Sequence, residues 1–251
     1  MELMISVISA QEARDAIAGG AAILDVKNPE EGSLGAQPPE VIRTIKKISA
    51  GSVSVSAAIG DMPNLPGTAA LAALGAASCG VDYIKVGLHG PRNESEALFL
   101  LREIQQAVRE YPVSVIAAGY ADNQRSGSLD PACLPRVAVS AGIRGCLLDT
   151  AVKDNRTLFD FMNPEQLRSM AEQIHEAGLL FGLAGALREK DLILARDVGA
   201  DIVGMRTAVC RDNRRSGPLE ASRICRLLQN PALCTTTGAK QSGRNSVRKT
   251  G

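Results

Sequence analysis

The chain has 251 residues and a mass of 26.3 kDa, is 45% hydrophobic and 22% charged, and carries a net charge of +1. That length buries a sizeable core in one large α/β domain or two small ones, and no run approaches the roughly 20 uninterrupted apolar residues of a membrane helix. With four Phe, three Tyr and no Trp, neither a base-stacking platform nor an aromatic-rich β-sandwich is expected.

The charge is unevenly spread. Lys240, Arg244, Arg248 and Lys249 lie in 231–251 with no acid, leaving 24 basic against 27 acidic residues in 1–230, a net −3. The sequence therefore predicts a folded domain over 1–230 and a basic, disordered tail over 231–251. A nucleic-acid partner requires a basic face on the folded part, which this balance does not supply. Glu2 stands where a signal peptide carries positive charge, and the six cysteines form no C-x-x-C. They read as reduced core residues of a cytoplasmic protein.

Taken in chain order, the apolar runs are residues 3–7, 22–26, 53–59, 83–88, 113–120, 145–149, 179–185 and 201–206. Amphipathic stretches separate them, among them 94–109 and 164–177, and five of the runs follow a glycine closely: Gly20, Gly80, Gly142, Gly178 and Gly199. A glycine there suits the left-handed residue that ends a helix before a short loop into a strand. Asn93 to Glu96 and Asn163 to Gln166 read as capping boxes, the second with Pro164 at the first helical position. Strands apolar on both faces and alternating with helices predict a parallel sheet covered by helices. Eight such units in about 230 residues match a single-domain (β/α)8 TIM barrel; a doubly wound open sheet is the alternative, with fewer strands.

In a barrel the chemistry lies at the C-terminal strand ends. There the sequence places Leu24-Asp25-Val26-Lys27, Ile84-Lys85-Val86, Leu147-Leu148-Asp149 and Gly204-Met205-Arg206. Alternation puts Asp25 and Lys27 on one face, and inward residues of alternate strands share a layer, so Lys27, Lys85 and Asp149 are expected to converge at the mouth. A salt bridge at a strand end accounts equally well for Lys27 alone. Lys85, flanked by Ile84 and Val86 on a strand covered on both sides, must be paired or functional. Lys153, four residues after Asp149, adds a third cation. Clustered, desolvated lysines depress one another's pKa, and a neutral lysine attacks carbonyls to give a Schiff base, with a second lysine or a carboxylate moving protons. Non-covalent Lys/Asp chemistry, as in decarboxylases or epimerases of sugar phosphates, remains open at this point, as does a catalytically silent phosphosugar-binding barrel.

Gly185 and Gly204, with Arg206, suggest a phosphate site at the last two strands. The loop Glu31-Gly32-Ser33-Leu34-Gly35 offers Ser33 to a second phosphate, or acts as a lid. Asp61 and Asp122 follow the third and fifth strands as mouth or turn residues. His89 and His175 have no partners at metal-ligand spacing, so no metal is expected, and His175 reads as a surface residue of a helix. Barrels of this size often form homo-oligomers, but no stripe in the sequence marks an interface.

The segments DVKNPEEGSLGA (25–36), SVSAAIGDMPNLPGT (54–68), DYIKVGLHG (82–90), AAGYAD (117–122), LLDTAVKDNRTLFDFM (147–162), GLAGAL (182–187) and DIVGMR (201–206) resemble the (5-formylfuran-3-yl)methyl phosphate synthase family of methanofuran biosynthesis. The resemblance runs from about residue 4 to about 228 and leaves the tail uncovered. It implies a class I aldolase-like TIM barrel that joins two molecules of glyceraldehyde 3-phosphate, with loss of one phosphate and two waters and no cofactor. It further implies that Lys27 forms the Schiff base, that Lys85 transfers protons, and that Asp149 and Lys153 complete the set.

Overall fold

The computed structural model describes residues 1–233, and the expected tail lies almost wholly outside them. Ala232 and Leu233, which the sequence assigns to the start of that tail, are buried against the body. Eight parallel strands close into one barrel in sequence order: β1 (Glu2–Val7), β2 (Ile23–Val26), β3 (Ser54–Asp61), β4 (Tyr83–Gly87), β5 (Ser114–Tyr120), β6 (Gly145–Asp149), β7 (Leu180–Leu183) and β8 (Ile202–Met205), with β8 paired back to β1. The helices are α1 (Ala10–Ala18), α2 (Pro39–Ser49), α3 (Pro66–Ala77), α4 (Glu94–Val108), α5 (Asn123–Ser126), α6 (Leu134–Ala141), α7 (Pro164–Glu176), α8 (Leu192–Asp197) and α9 (Ala221–Leu228). All eight apolar runs are strands, and the single-domain (β/α)8 barrel is the fold.

Alternation along each strand divides the apolar residues into two cores. Leu24, Val26, Val55, Ala57, Ile84, Val86, Leu148 and Phe181 pack outward against the helices. Met4, Ile23, Ala58, Ile116, Ala118, Leu147 and Ala184 fill the barrel interior. Toward the mouth the inward residues become small or polar, including Ser6, Ala58, Ala118, Ala184 and Gly204. Interiors of such barrels are normally packed by large branched side chains, so this exchange opens the space that the site occupies.

All five glycines expected at helix ends have positive φ, among them Gly142 at +67°. The capping box of α7 is complete: Gln166 N–H donates to Asn163 Oδ1 at 2.9 Å and Asn163 N–H to Gln166 Oε1 at 3.0 Å. The box expected at α4 is only half formed. Asn93 accepts from the Glu96 N–H, but the Glu96 carboxylate turns to the Arg92 N–H at 2.9 Å. Cys79, Cys133, Cys146 and Cys210 are buried free thiols, whereas Cys225 is exposed on α9, contrary to a core role. Cys234 lies outside the described residues. No helix among them is long and apolar enough to cross a membrane.

Two glycines should respond to alanine in opposite directions. Gly142 has open space around its Cα but a left-handed backbone, so Gly142→Ala should cost about 1 kcal/mol. Gly75, inside α3 and equally open, should gain about 0.5–1 kcal/mol as alanine. Urea unfolding of both variants checks the opposed signs.

Candidate active site

The strand ends deliver their charges into a cavity of about 450 Å³ at the C-terminal mouth, lined among others by Ser6, Asp25, Lys27, Lys85, Asp149 and Lys153. Asp25, 1% exposed, lies between two ammonium groups. Lys85 Nζ is 2.7 Å from its Oδ1, outside hydrogen-bond angles, and Lys27 Nζ is 3.9 Å from its Oδ2. Ser6 on β1 donates its hydroxyl to Oδ2 at 3.1 Å. Asp149 Oδ1 accepts from Lys153 Nζ at 2.6 Å and from the Thr150 N–H at 2.7 Å.

These contacts set the protonation balance. Burial drives the Lys27 ammonium down, Asp149 and Asp25 offset part of that, and Lys85 and Lys153 push the same way as burial, leaving Lys27 at about 8 rather than 10.5. Burial alone raises the Asp149 carboxyl, but Lys153, Lys27 and the Thr150 N–H more than offset it and hold the group below the usual carboxylate range. One lysine is thereby poised to lose a proton near neutrality beside a carboxylate that keeps its charge.

The loops around the mouth are clamped to the barrel. Asp61 accepts the N–H groups of Ser33 and Leu34 at 2.6 and 3.1 Å, together with the Tyr120 hydroxyl, and so pins the loop that follows Lys27. Leu34 is thereby driven into the interior core. Burial, followed by the adjacent Asp61, raises the Tyr120 hydroxyl pKa well above its ordinary value. Asp122 accepts the N–H groups of Ala151 and Val152 at 2.7 and 3.0 Å and fixes the loop carrying Lys153. Asp154, paired at 2.8 Å with both Arg125 and Arg156, braces the same loop while both guanidiniums stack over Phe161.

The residues expected to hold phosphate divide. Gly185 (φ +96°) and Ala186 (φ +51°) turn the chain away from β7 along the cavity wall. Among the described residues, the N–H groups of Gly185, Ala186 and Leu187 donate to no protein acceptor, an arrangement suited to an anion. Gly204 lines the same wall, where a Cβ would stand 2.8 Å from Met4. Ser33 has both donors engaged, its N–H by Asp61 and its hydroxyl by the Thr150 carbonyl at 2.9 Å. Arg206 also lines the cavity, yet it spends four N–H groups inside the protein, on Glu12 twice, on the Ser6 carbonyl and on the Arg215 carbonyl. Burial opposes its charge, and Glu12 more than restores it. His175 is on the surface, 3.0 Å from Asp201.

Sequence reasoning missed Ser6, Tyr120 and Arg215. Ser6 is the lone hydroxyl of an apolar first run and faces inward by alternation. Arg215 belongs to an unremarkable basic loop, and nothing local shows that it turns back over the mouth. The Glu12–Arg206 pair is a buried ion pair, 2.8 Å long, joining α1 to the end of β8 across the seam where the barrel closes. Glu12→Gln should destabilise the fold by about 3–5 kcal/mol, because it leaves a buried guanidinium without its counter-charge; thermal and urea unfolding measure this.

Comparison with known proteins agrees along nearly the whole chain. Solved structures of Thermus thermophilus phosphoribosyl anthranilate isomerase (19% identity, TM-score 0.57, covering 90% of this chain and 96% of that one) and of a 3-hexulose-6-phosphate synthase (16%, 0.60, 90% and 99%) share the fold. The chain is 49% identical over 230 residues to the (5-formylfuran-3-yl)methyl phosphate synthase of Methanopyrus kandleri, covering 90% of this chain and 97% of that protein. It is 45% identical over 218 residues to the Methanocaldococcus jannaschii protein of the same name, covering 86% and 93%. The profile of the family described as 4-HFC-P synthase matches residues 3–228. The chain belongs to the 4-HFC-P synthase family.

Proposed function

We propose that this enzyme condenses two molecules of glyceraldehyde 3-phosphate into (5-formylfuran-3-yl)methyl phosphate, releasing one phosphate and two waters, for synthesis of a methanofuran-type one-carbon cofactor. The reaction is a carbon–oxygen lyase-type synthesis through a lysine Schiff base and needs no cofactor. The observation that carries the reading is the depressed, buried Lys27 in a cavity that also holds Lys85, Asp149 and Lys153. The names of the relatives support the choice of substrate and product. Four buried free thiols are in keeping with a cytoplasmic setting.

In this reading the neutral Lys27 amine attacks the aldehyde carbon of one triose phosphate and, after loss of water, forms a protonated imine. The iminium draws electrons from the adjacent carbon, whose proton a neighbouring base removes, giving an enamine that expels the phosphate on C3; the enol left behind is nucleophilic at C3 and bonds to C2 of the second triose in its keto form. Lys85 and Asp149 are the proton carriers. Asp25 is a positioning residue, keeping Lys85 and Lys27 on opposite sides of one carboxylate. Closure of the ring with loss of two waters and hydrolysis of the imine complete the furan, and two C3 units with two phosphates balance one C6 furan phosphate, one phosphate and two waters. The free N–H groups from Gly185 to Leu187, beside Gly204, take one phosphate, with Lys153 nearby. Arg206 shapes this wall from its pair with Glu12, and Ser33 fixes the β2 loop.

Incubation with glyceraldehyde 3-phosphate alone should give a furan chromophore and free phosphate in equal amounts. Borohydride added during turnover should attach a reduced triose to Lys27, read by peptide mass mapping; turnover without an adduct on Lys27 overturns the Schiff-base assignment. Lys27→Ala should lower kcat by at least about 10³-fold. Below pH 8 the ammonium is the dominant form, so the rate at low substrate should rise about tenfold per pH unit and level off above about 8. A profile still climbing steeply at pH 10 contradicts the depressed amine.

A further inference from the structure

The loop between β8 and α9 makes an excursion over the mouth. Its base is pinned by a bridge between Cys210 and Leu219 and by the Arg211 N–H donating to the Pro218 carbonyl at 2.9 Å. Asp212 and Asn213 both have positive φ, +57° and +52°, and turn the chain so that Arg215 reaches inward. Arg206 Nε holds the Arg215 carbonyl at 2.8 Å, so the Glu12–Arg206 pair that closes the barrel also fixes this loop.

The Arg215 side chain is partly buried, and its guanidinium has one protein acceptor, the Gly32 carbonyl at 3.4 Å. Among the described residues no carboxylate pairs with it. Burial lowers its pKa and the Arg206 charge pushes the same way, while Asp149 and Asp61 oppose them only from a distance. A second, shallower cavity of about 580 Å³ lies beside the first, under the β2 loop, and Arg215 and Lys153 line both cavities. Two cations thus stand between the two spaces. Lys153 is already occupied by Asp149, whereas Arg215 presents a planar fork of donors with little to bind.

We propose that Arg215 forms a second anion site, which takes the phosphomonoester of the triose whose phosphate is not on the Gly185–Leu187 turn. The ligand's identity rests on the two-triose reading; the site itself rests on the geometry of Arg215. A desolvated guanidinium without a counter-charge gains most from a ligand that supplies one, and phosphate matches its fork bidentately. Arg215 thereby assumes the phosphate role that sequence position suggested for Arg206.

Calorimetric titration with glycerol 3-phosphate, which has the phosphate but no carbonyl to react with Lys27, tests the site directly. The wild-type chain should bind two equivalents. Arg215→Gln should keep one at wild-type affinity and weaken the other by about 10- to 100-fold, and Arg215→Lys, which keeps charge but not the fork, should fall between. A wild-type chain that binds one equivalent, or either variant binding two with unchanged affinities, overturns the proposal. If Arg215→Gln does not fold by circular dichroism, Arg215→Lys alone decides by the same criterion. Two equivalents bound by a chain that makes no furan from glyceraldehyde 3-phosphate keep the anion site and remove the two-triose reading. Furan formation with both affinities unchanged in Arg215→Gln does the reverse.

Discussion

A single carboxylate, Asp25, sits almost fully buried inside the barrel with Lys85 at 2.7 Å and Lys27 at 3.9 Å. Removing such charges from water costs several kcal/mol per ion, so the arrangement persists only because the surrounding structure supplies counter-charges and donors. Ser6 satisfies one Asp25 oxygen, and Asp149 with Lys153 forms a second pair in the same cavity. Lys27 has no carboxylate within hydrogen-bond distance, Asp25 standing 3.9 Å away and Asp149 acting from farther off, so burial prevails over both. The same burial that makes the site costly therefore makes one amine easier to deprotonate.

The scaffold accommodates this cluster by giving up packing inside the barrel. Small inward residues make room at the mouth, while large aliphatic side chains remain between strands and helices. Stability is recovered at the rim. Glu12 and Arg206 tie the first helix to the last strand, Asp61 with Tyr120 fastens the β2 loop, and Asp122 fastens the β6 loop. Each clamp uses a charged group to fix backbone N–H groups or carbonyls at the mouth, and those of Asp61 and Asp122 hold the loops that follow Lys27 and carry Lys153. The loops of the mouth are therefore held by the same charge chemistry that the site itself uses.

The fold was legible because its signals are local: apolar runs of strand length, helix-ending glycines and the Asn163 capping box can each be read within a few residues. Alternation likewise placed Asp25 with Lys27 and turned Lys85 inward. What it could not give was partner choice. Asp25 and Lys85 are on strands β2 and β4, and whether Lys85 meets Asp25 or Asp149 depends on the closed geometry. Arg206 was expected to face a ligand, but Glu12 lies 194 residues away in sequence, and no local pattern announces their pairing. Glu96 could have completed a capping box or capped Arg92, and local geometry selected the latter. Arg215 was overlooked because its importance comes from a loop folding back, not from its neighbours in the chain.

The buried network pushes the Lys27 amine down to about 8, so that an appreciable minority of it is neutral near physiological pH. Site-resolved NMR titration of the lysine side chains, with Lys27→Arg used to assign the resonance, measures this without reference to any substrate. The Lys27 midpoint should lie near 8, displaced further downward in Asp25→Asn, where a compensating negative charge is lost. A Lys27 that titrates with the ordinary surface lysines near 10.5 would contradict it.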